Sequence, residues 1–145
     1  MNKYKHTQIG YVLIVAISAA ILLIVSLMFT TADFNPIAAV LGFMILCLAL
    51  FATLTVEVDE QALNLRFGIG IIQKRFMLQD IAAYRAVKNP WYYGWGIHLI
   101  PRGWIFNVSG WEAVELQMKN GAKYRIGSDD AAGLVSALET QLQKM

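Results

Sequence analysis

Cysteine, histidine, proline and charge are all scarce in this chain. Its 145 residues include one Cys, two His and three Pro, and only 15% are charged against 57% hydrophobic. The single cysteine, Cys47, excludes an intrachain disulfide and fits a reducing compartment. So few His and Cys leave little to hold a transition metal: His6 lies near the N-terminus, His98 stands alone in an aromatic stretch, and Cys47 sits in an apolar run. No HExxH, CxxC, GxSxG or P-loop pattern occurs. Neither sign of charge dominates. From Thr55 onward ten Lys and Arg face nine Asp and Glu, which gives no basic field to draw nucleic acid. These absences predict a chain without catalytic residues, metal or cofactor, and so not an enzyme.

What the chain has in excess is apolar sequence, concentrated in its first third. No charged residue occurs from Thr7 to Ala32 or from Phe34 to Val56. Residues 10–29 and 36–55 each supply about 20 residues, enough at ~1.5 Å per residue to cross a hydrocarbon core of ~30 Å. Both are expected as transmembrane helices because a backbone in lipid must satisfy its own hydrogen bonds. Pro36 suits a first helical turn. Lys3 and Lys5 precede the first span, Arg66, Lys74 and Arg75 follow the second, and the connector 30–35 has neither Lys nor Arg. The positive-inside rule therefore predicts a cytoplasmic tail over 1–9, an external connector and a cytoplasmic domain over 56–145. A cleaved signal peptide over residues 1–32 is the rival reading, but the apolar run is long for one and a second run follows. Ala16 with Ala20, and Ala38 with Gly42, are small-residue pairs suited to a close helix seam.

After Leu54 the period of the pattern falls to two. Val56 and Val58, then Leu63, Leu65 and Phe67, then Val114, Leu116 and Met118 alternate with polar residues, as half-buried antiparallel strands do. Turn residues divide the run into about seven strands: 54–59, 62–67, 71–77, 80–87, an interrupted one over 95–108, 111–118 and 122–127. Asn120-Gly121 invites a two-residue hairpin, but that register would split the apolar residues between faces. A three-residue loop, Lys119 to Gly121, pairs Met118 with Ala122, Leu116 with Tyr124 and Val114 with Ile126 on one face. Ser128 is the expected N-cap of a C-terminal helix over 129–144, whose Leu134, Val135, Leu138 and Leu142 form an apolar stripe.

This order, with the stretch GWGIHLIPRGWIFNVSGWEAVELQMKNGAKYRIGSDD and its PRGW, NVSG, AVEL and RIGSDD segments, resembles the bacterial pleckstrin-homology-like proteins, in particular small membrane proteins in which two spans precede one such domain. The resemblance implies a seven-stranded, strongly bent barrel capped by a C-terminal helix, a place in the bacterial inner membrane, and no catalytic residue. It does not bring a phosphoinositide site. Lipid-binding versions of the fold carry basic residues around the loop between the first two strands, where this chain has Asp59-Glu60-Gln61.

The remaining signals are local. Gly68-Ile69-Gly70 lacks the third glycine and following helix of a dinucleotide fingerprint and reads as a turn. Asp59-Glu60 and Asp129-Asp130 read as a solvated turn and a helix start rather than metal ligands. Asn107-Val108-Ser109 matches a glycosylation sequon but is expected to be a turn. Trp104 and Phe106 alternate as inward residues. Trp91, Tyr92, Tyr93 and Trp95 crowd a loop bounded by Pro90 and Gly96, where alternation fails, and are candidates for core, for membrane contact or for a partner surface. With Arg102, Lys74 and Arg75 they form the candidate binding surface. The leading expectation is a membrane-anchored scaffold whose domain binds a protein partner or another copy of itself; the alternative is binding of anionic lipid or a small anion through Arg102, Lys74, Arg75 and the aromatic loop.

Overall fold

The first strand of the domain precedes the helical hairpin. The computed structural model describes residues 4–30 and 34–145, without the side chains of Phe34 and Asn35. Strand β1 (Tyr4–Ile9) runs into helix α1 (Tyr11–Met28), and helix α2 (Phe34–Phe51) runs into strand β2 (Thr53–Val58). The two strands pair antiparallel, with Tyr4 opposite Val58 and Ile9 opposite Thr53, and the Gly10 amide donates to the Ala52 carbonyl at 2.8 Å. Residues 4–9 are therefore an edge strand rather than a tail. Their composition concealed this, because the inward positions are Tyr4, His6 and a buried Gln8 and the backbone ladder outweighs the missing apolar face.

Among the described residues, α1 alone is long and apolar enough to cross a membrane; the apolar run of α2, Pro36–Phe51, is shorter. Thr53 to Thr55, expected at the end of a second span, belong to β2. Of the expected connector, Thr31, Ala32 and Asp33 lie outside the described residues. The helices pack on each other, but not through the small pairs. Half-buried positions recur at Ile14, Ile17, Ile21 and Ile24 and at Ile37, Leu41, Met44 and Leu48, while Ala16, Ala38 and Gly42 are exposed. A Cβ on Gly42 would meet nothing within 4 Å. The seam is one of large side chains at helical spacing.

β2 continues into β3 (Ala62–Phe67) and β4 (Ile72–Met77), giving a sheet ordered β1-β2-β3-β4. A second sheet holds β5 (Ile81–Lys88), β6 (Gly96–Ile100), β7 (Gly103–Asn107), β8 (Glu112–Met118) and β9 (Lys123–Gly127) in the order β5-β8-β9-β7-β6. The expected closed barrel of seven antiparallel strands is thus replaced by two open sheets of four and five strands. β1 is added at the start, the 95–108 segment breaks at Pro101-Arg102, and β7 lies parallel to β9, with Trp104 opposite Tyr124. The sheets face each other across one apolar core that includes Leu54, Val56, Leu65 and Phe67 on one side and Val114, Leu116 and Ile126 on the other.

The β8–β9 turn has the three-residue register. The Met118 amide donates to the Ala122 carbonyl at 2.8 Å and the Gly121 amide to the Met118 carbonyl at 2.9 Å. Gly121 has φ +87°, Leu116 stands opposite Tyr124 and Val114 opposite Ile126. Helix α3 (Ala131–Leu142) buries Leu134 and Leu138 completely against the core, with Val135 and Leu142 packed beside them. Its N-cap is Asp130, not Ser128. The Asp130 carboxylate accepts from the Gly133 amide at 3.1 Å, three positions on as a cap requires, and the Ser128 hydroxyl accepts from the Asp130 amide at 3.1 Å. Trp104 also departs from expectation: it is 41% exposed, whereas Ile105, Phe106 and Val108 are buried. β7 is covered on both faces from Ile105 onward, and Trp104 lies outside that cover, next to the hairpin tip.

Candidate functional site

The aromatic loop is built at the end of the domain where the helices join. Gly96 pairs with Asn107, so the loop before β6 lies beside the loop after β7. Asn107, fully buried, holds the two together. Its side-chain amide donates to the Gly110 carbonyl at 3.2 Å and to the Gly94 carbonyl at 3.5 Å, and its oxygen accepts from the Ser109 amide at 3.2 Å. The sequon therefore starts on the last residue of β7 and continues into the expected turn at 108–110. The β7–β8 loop in turn meets the start of α1: Gln8 donates to the Ser109 carbonyl at 2.8 Å, and a Cβ on Gly10 would lie 3.0 Å from the Val108 carbonyl. Trp91–Tyr93, a 3₁₀ turn after Pro90, and Trp95 thus stand at the end of the domain where α1 departs and α2 returns.

Within the loop the aromatics divide. Trp91 and Tyr92 are 77% and 67% exposed, whereas Tyr93 and Trp95 are half-buried. Trp95 packs against Trp111 with centroids 5.7 Å apart, and Tyr93 lies under the Arg125 guanidinium at 5.3 Å. The His98 ring makes a hydrogen bond with the Tyr93 carbonyl. Tyr93 and Trp95 form a base that presents Trp91 and Tyr92.

That base stands on an ionic network that the sequence reading missed. Glu115, with 6% of its side chain exposed, takes Arg85 at 2.7 Å on one oxygen and Arg125 at 2.9 Å on the other. Arg125 also donates to the Asn89 side-chain oxygen at 3.1 Å, which ties the start of the loop to the sheet. Burial pushes the Glu115 carboxyl up, but the hydrogen bonds and charges of Arg85 and Arg125 outweigh it and hold the pKa below the usual value. A signal for this did exist. The hairpin register that pairs Leu116 with Tyr124 also sets Glu115 opposite Arg125.

Of the cationic members of the expected surface, Lys74 and Arg75 border one depression on the four-stranded sheet, and Arg102 is not brought to them or to the aromatic loop. Arg102 is at the far tip of the β6–β7 hairpin, separated from the aromatic loop by the length of β6, about 17 Å at ~3.3 Å per residue. Lys74 lies over the Phe76 and Tyr124 rings at 5.8 and 5.9 Å, beside the inter-sheet core. Arg75, the next residue, points to the opposite face of its sheet and stands across from Asn64. Asp59 is a turn residue, accepting from the Gln61 and Ala62 amides at 2.8 Å and from Asn64 at 3.0 Å. The Gln61 hydrogen bond is the main cause of its lowered pKa. Among the described residues no group of three or more His, Cys, Asp or Glu could hold a metal ion.

The sequence matches no protein-family model and has no significant match among curated proteins.

Proposed function

We propose that this chain is a membrane-anchored, non-enzymatic interaction module. In this reading α1 and α2 cross a bacterial inner membrane as a hairpin, both termini are cytoplasmic, and the two-sheet domain, pleckstrin-homology-like in ending its strands with a capping helix, is displayed at the cytoplasmic face to a protein partner or a second copy. The observation that carries the reading is the hydrogen bond from Gly10 to Ala52 between the ends of the two helices. A chain that leaves a sheet and re-enters it at the next strand must cross a bilayer an even number of times. A single crossing would separate β1 from β2. If α1 crosses, α2 returns, and its 18 residues reach about 27 Å, a shortfall that modest thinning of the bilayer absorbs. The Lys and Arg flanking the helices, with none in the connector, favour the cytoplasmic side for the domain.

The exposed Trp91 and Tyr92 support binding. They are large, stiff side chains on a fixed base, of the kind that anchors protein interfaces. The anionic-ligand alternative loses ground because Lys74 and Arg75 border a depression on the four-stranded sheet while Arg102 is at the tip of the β6–β7 hairpin, so they do not converge with the aromatic loop. A photocrosslinking residue at Trp91 of the full-length protein in its native membrane tests the reading, with the exposed Gln79 as control. A discrete protein adduct or a self-crosslinked dimer from position 91 alone is expected. Lipid adducts only, or equal products from both positions, would overturn it.

A further inference from the structure

The outer face of the four-stranded sheet carries a second surface at the helix junction, outside the aromatic loop. β3 and β4 are joined by a turn at Gly68–Ile71 that is wedged against the last turn of α2. The Ile69 amide donates to the Ala49 carbonyl at 3.0 Å and the Gly68 amide to the Thr53 carbonyl at 2.9 Å. Gly68 has φ +46°, and a Cβ there would overlap the Ala49 carbonyl. The turn thereby satisfies the Ala49 carbonyl, one of those a helix end leaves open, and the first carbonyl of β2, and it is fixed in place. Yet it presents Ile69 and Ile71 at 67% and 70% exposure, two large apolar side chains with no protein cover, beside the helix end that the reading above puts at the membrane surface.

Beneath this tip the sheet changes character. Thr7, Thr55, Arg66 and Gln73 form one cross-strand row. With Lys5 and the Gly68–Gly70 turn they border an open depression of about 360 Å³. The Thr7 and Thr55 hydroxyls lie 2.9 Å apart. Arg66 is held only loosely by Glu57, at 3.8 Å, and Lys5 makes no ion pair among the described residues. On this face Lys5, Arg66 and Arg75 stand against Glu57 and, at the far end beside Asn64 and Arg75, Asp59, leaving a small excess of positive charge that is concentrated at Lys5 and Arg66. Arg66 precedes Gly68 by two residues, so the row lies roughly 7 Å from the turn that carries the apolar tip, and the headgroup layer of a bilayer is about 5–8 Å thick on each side. Apolar tip and basic, hydroxyl-lined row thus match in order and spacing the acyl and phosphate layers of one leaflet.

We propose that this depression binds the headgroup phosphate of an anionic phospholipid, with Arg66 and Lys5 supplying charge, the two threonine hydroxyls supplying hydrogen bonds, and Ile69 and Ile71 lying in the acyl region. The inference rests on the membrane-anchored reading. It differs from recruitment by a basic patch, because the domain is already tethered and the lipid serves to orient it.

The test is native mass spectrometry of the full-length, detergent-solubilised protein titrated with phosphatidylglycerol or phosphatidylcholine. The expected result is preferential retention of phosphatidylglycerol. Lys5→Gln and Arg66→Gln should each weaken it roughly five-fold, in line with the attraction per charge at an anionic surface, and together about 25-fold. Arg66→Lys should restore most of the single loss, and Lys119→Gln, on the distant β8–β9 turn, should change nothing. Circular dichroism of the variants separates loss of binding from loss of fold. Equal retention of the two lipids, a preference unchanged in the double variant, or full displacement by millimolar inorganic phosphate would overturn the proposal. Carbonate extraction of the same protein from membranes reports separately on the anchoring: release into the soluble fraction refutes that reading, while retention with no lipid preference refutes only this site.

Discussion

Replacing Glu115 with Ala should be among the most destabilising single changes in the domain. The carboxylate is 6% exposed and joins two guanidinium groups, but the two arginines differ. Arg85 has 63% of its side chain in solvent and can return to water, while Arg125 is 12% exposed and cannot. Removing Glu115 leaves Arg125 buried with only the Asn89 oxygen and the Tyr93 ring. Breaking a buried pair in this way costs about 3–5 kcal/mol, and because one partner stays solvated we expect the lower end, about 3 kcal/mol. Replacing both members, Glu115→Leu with Arg125→Met, removes the stranded charge and should return stability to within about 1 kcal/mol of the parent. Urea unfolding of the full-length protein in detergent, followed by near-UV circular dichroism, gives both values. Additive losses, or a Glu115→Ala loss under about 1 kcal/mol, would refute the reasoning. The pH dependence has a definite sign. Glu115 titrates lower folded than unfolded, from a reference of 4.5, so its contribution is complete above that value and lost as pH falls through the folded pKa. Asp59 acts in the same direction from 3.8. Stability should be flat from pH 7 to 5 and fall below about 4.5, less steeply in Glu115→Ala.

Three further outcomes follow from the packing. Trp91→Ala should leave stability within about 0.5 kcal/mol of the parent, whereas Trp95→Ala, which removes the ring against Trp111, should cost about 2–3 kcal/mol; equal effects in thermal melts would contradict the division of the loop. Gly103→Ala should unfold or severely destabilise the domain, because a Cβ there would overlap the Lys123 carbonyl and φ is +140°; normal expression and melting would show that β7 need not approach β9 so closely. Replacing residues 10–52 by Asn-Gly should yield a soluble, folded domain, since Ile9 and Thr53 are already hairpin neighbours, whereas a fragment beginning at Thr53, with β2 whole, should fold poorly for want of β1; the reverse result in hydrogen exchange would mean that β1 is dispensable.

β2, β3 and β8 were legible because one face of each is apolar, and Gly68, Gly70, Asn89-Pro90 and Asn120-Gly121 marked turns between strands, whereas β6 and β7 read as one interrupted strand over 95–108. The β8–β9 register was legible because only one loop length keeps Met118, Leu116 and Val114 on the same side as their partners. β1 was not, since polar Gln8 fills an inward position and hydrogen-bonds across to the Ser109 carbonyl. The parallel β7–β9 pair was hidden as well, because β8 intervenes in sequence and periodicity says nothing of strand direction. Trp104 misled because alternation gives the face but not how far the opposite sheet extends over it. At the candidate site the aromatic cluster was visible by composition. Its support was legible only in part: the β8–β9 register sets Glu115 opposite Arg125, but Arg85 and Asn89, from β5 and the residue after it, join them only through the sheet order.

In the proposed topology both helices cross the membrane and leave the domain inside. In a Cys47→Ser background, Asp33→Cys and Lys144→Cys are treated separately with a membrane-impermeant maleimide on intact cells and after lysis. Labelling is expected at position 33 in intact cells and at position 144 only after lysis. Labelling of 144 with protection of 33, or the same behaviour at both, would contradict it.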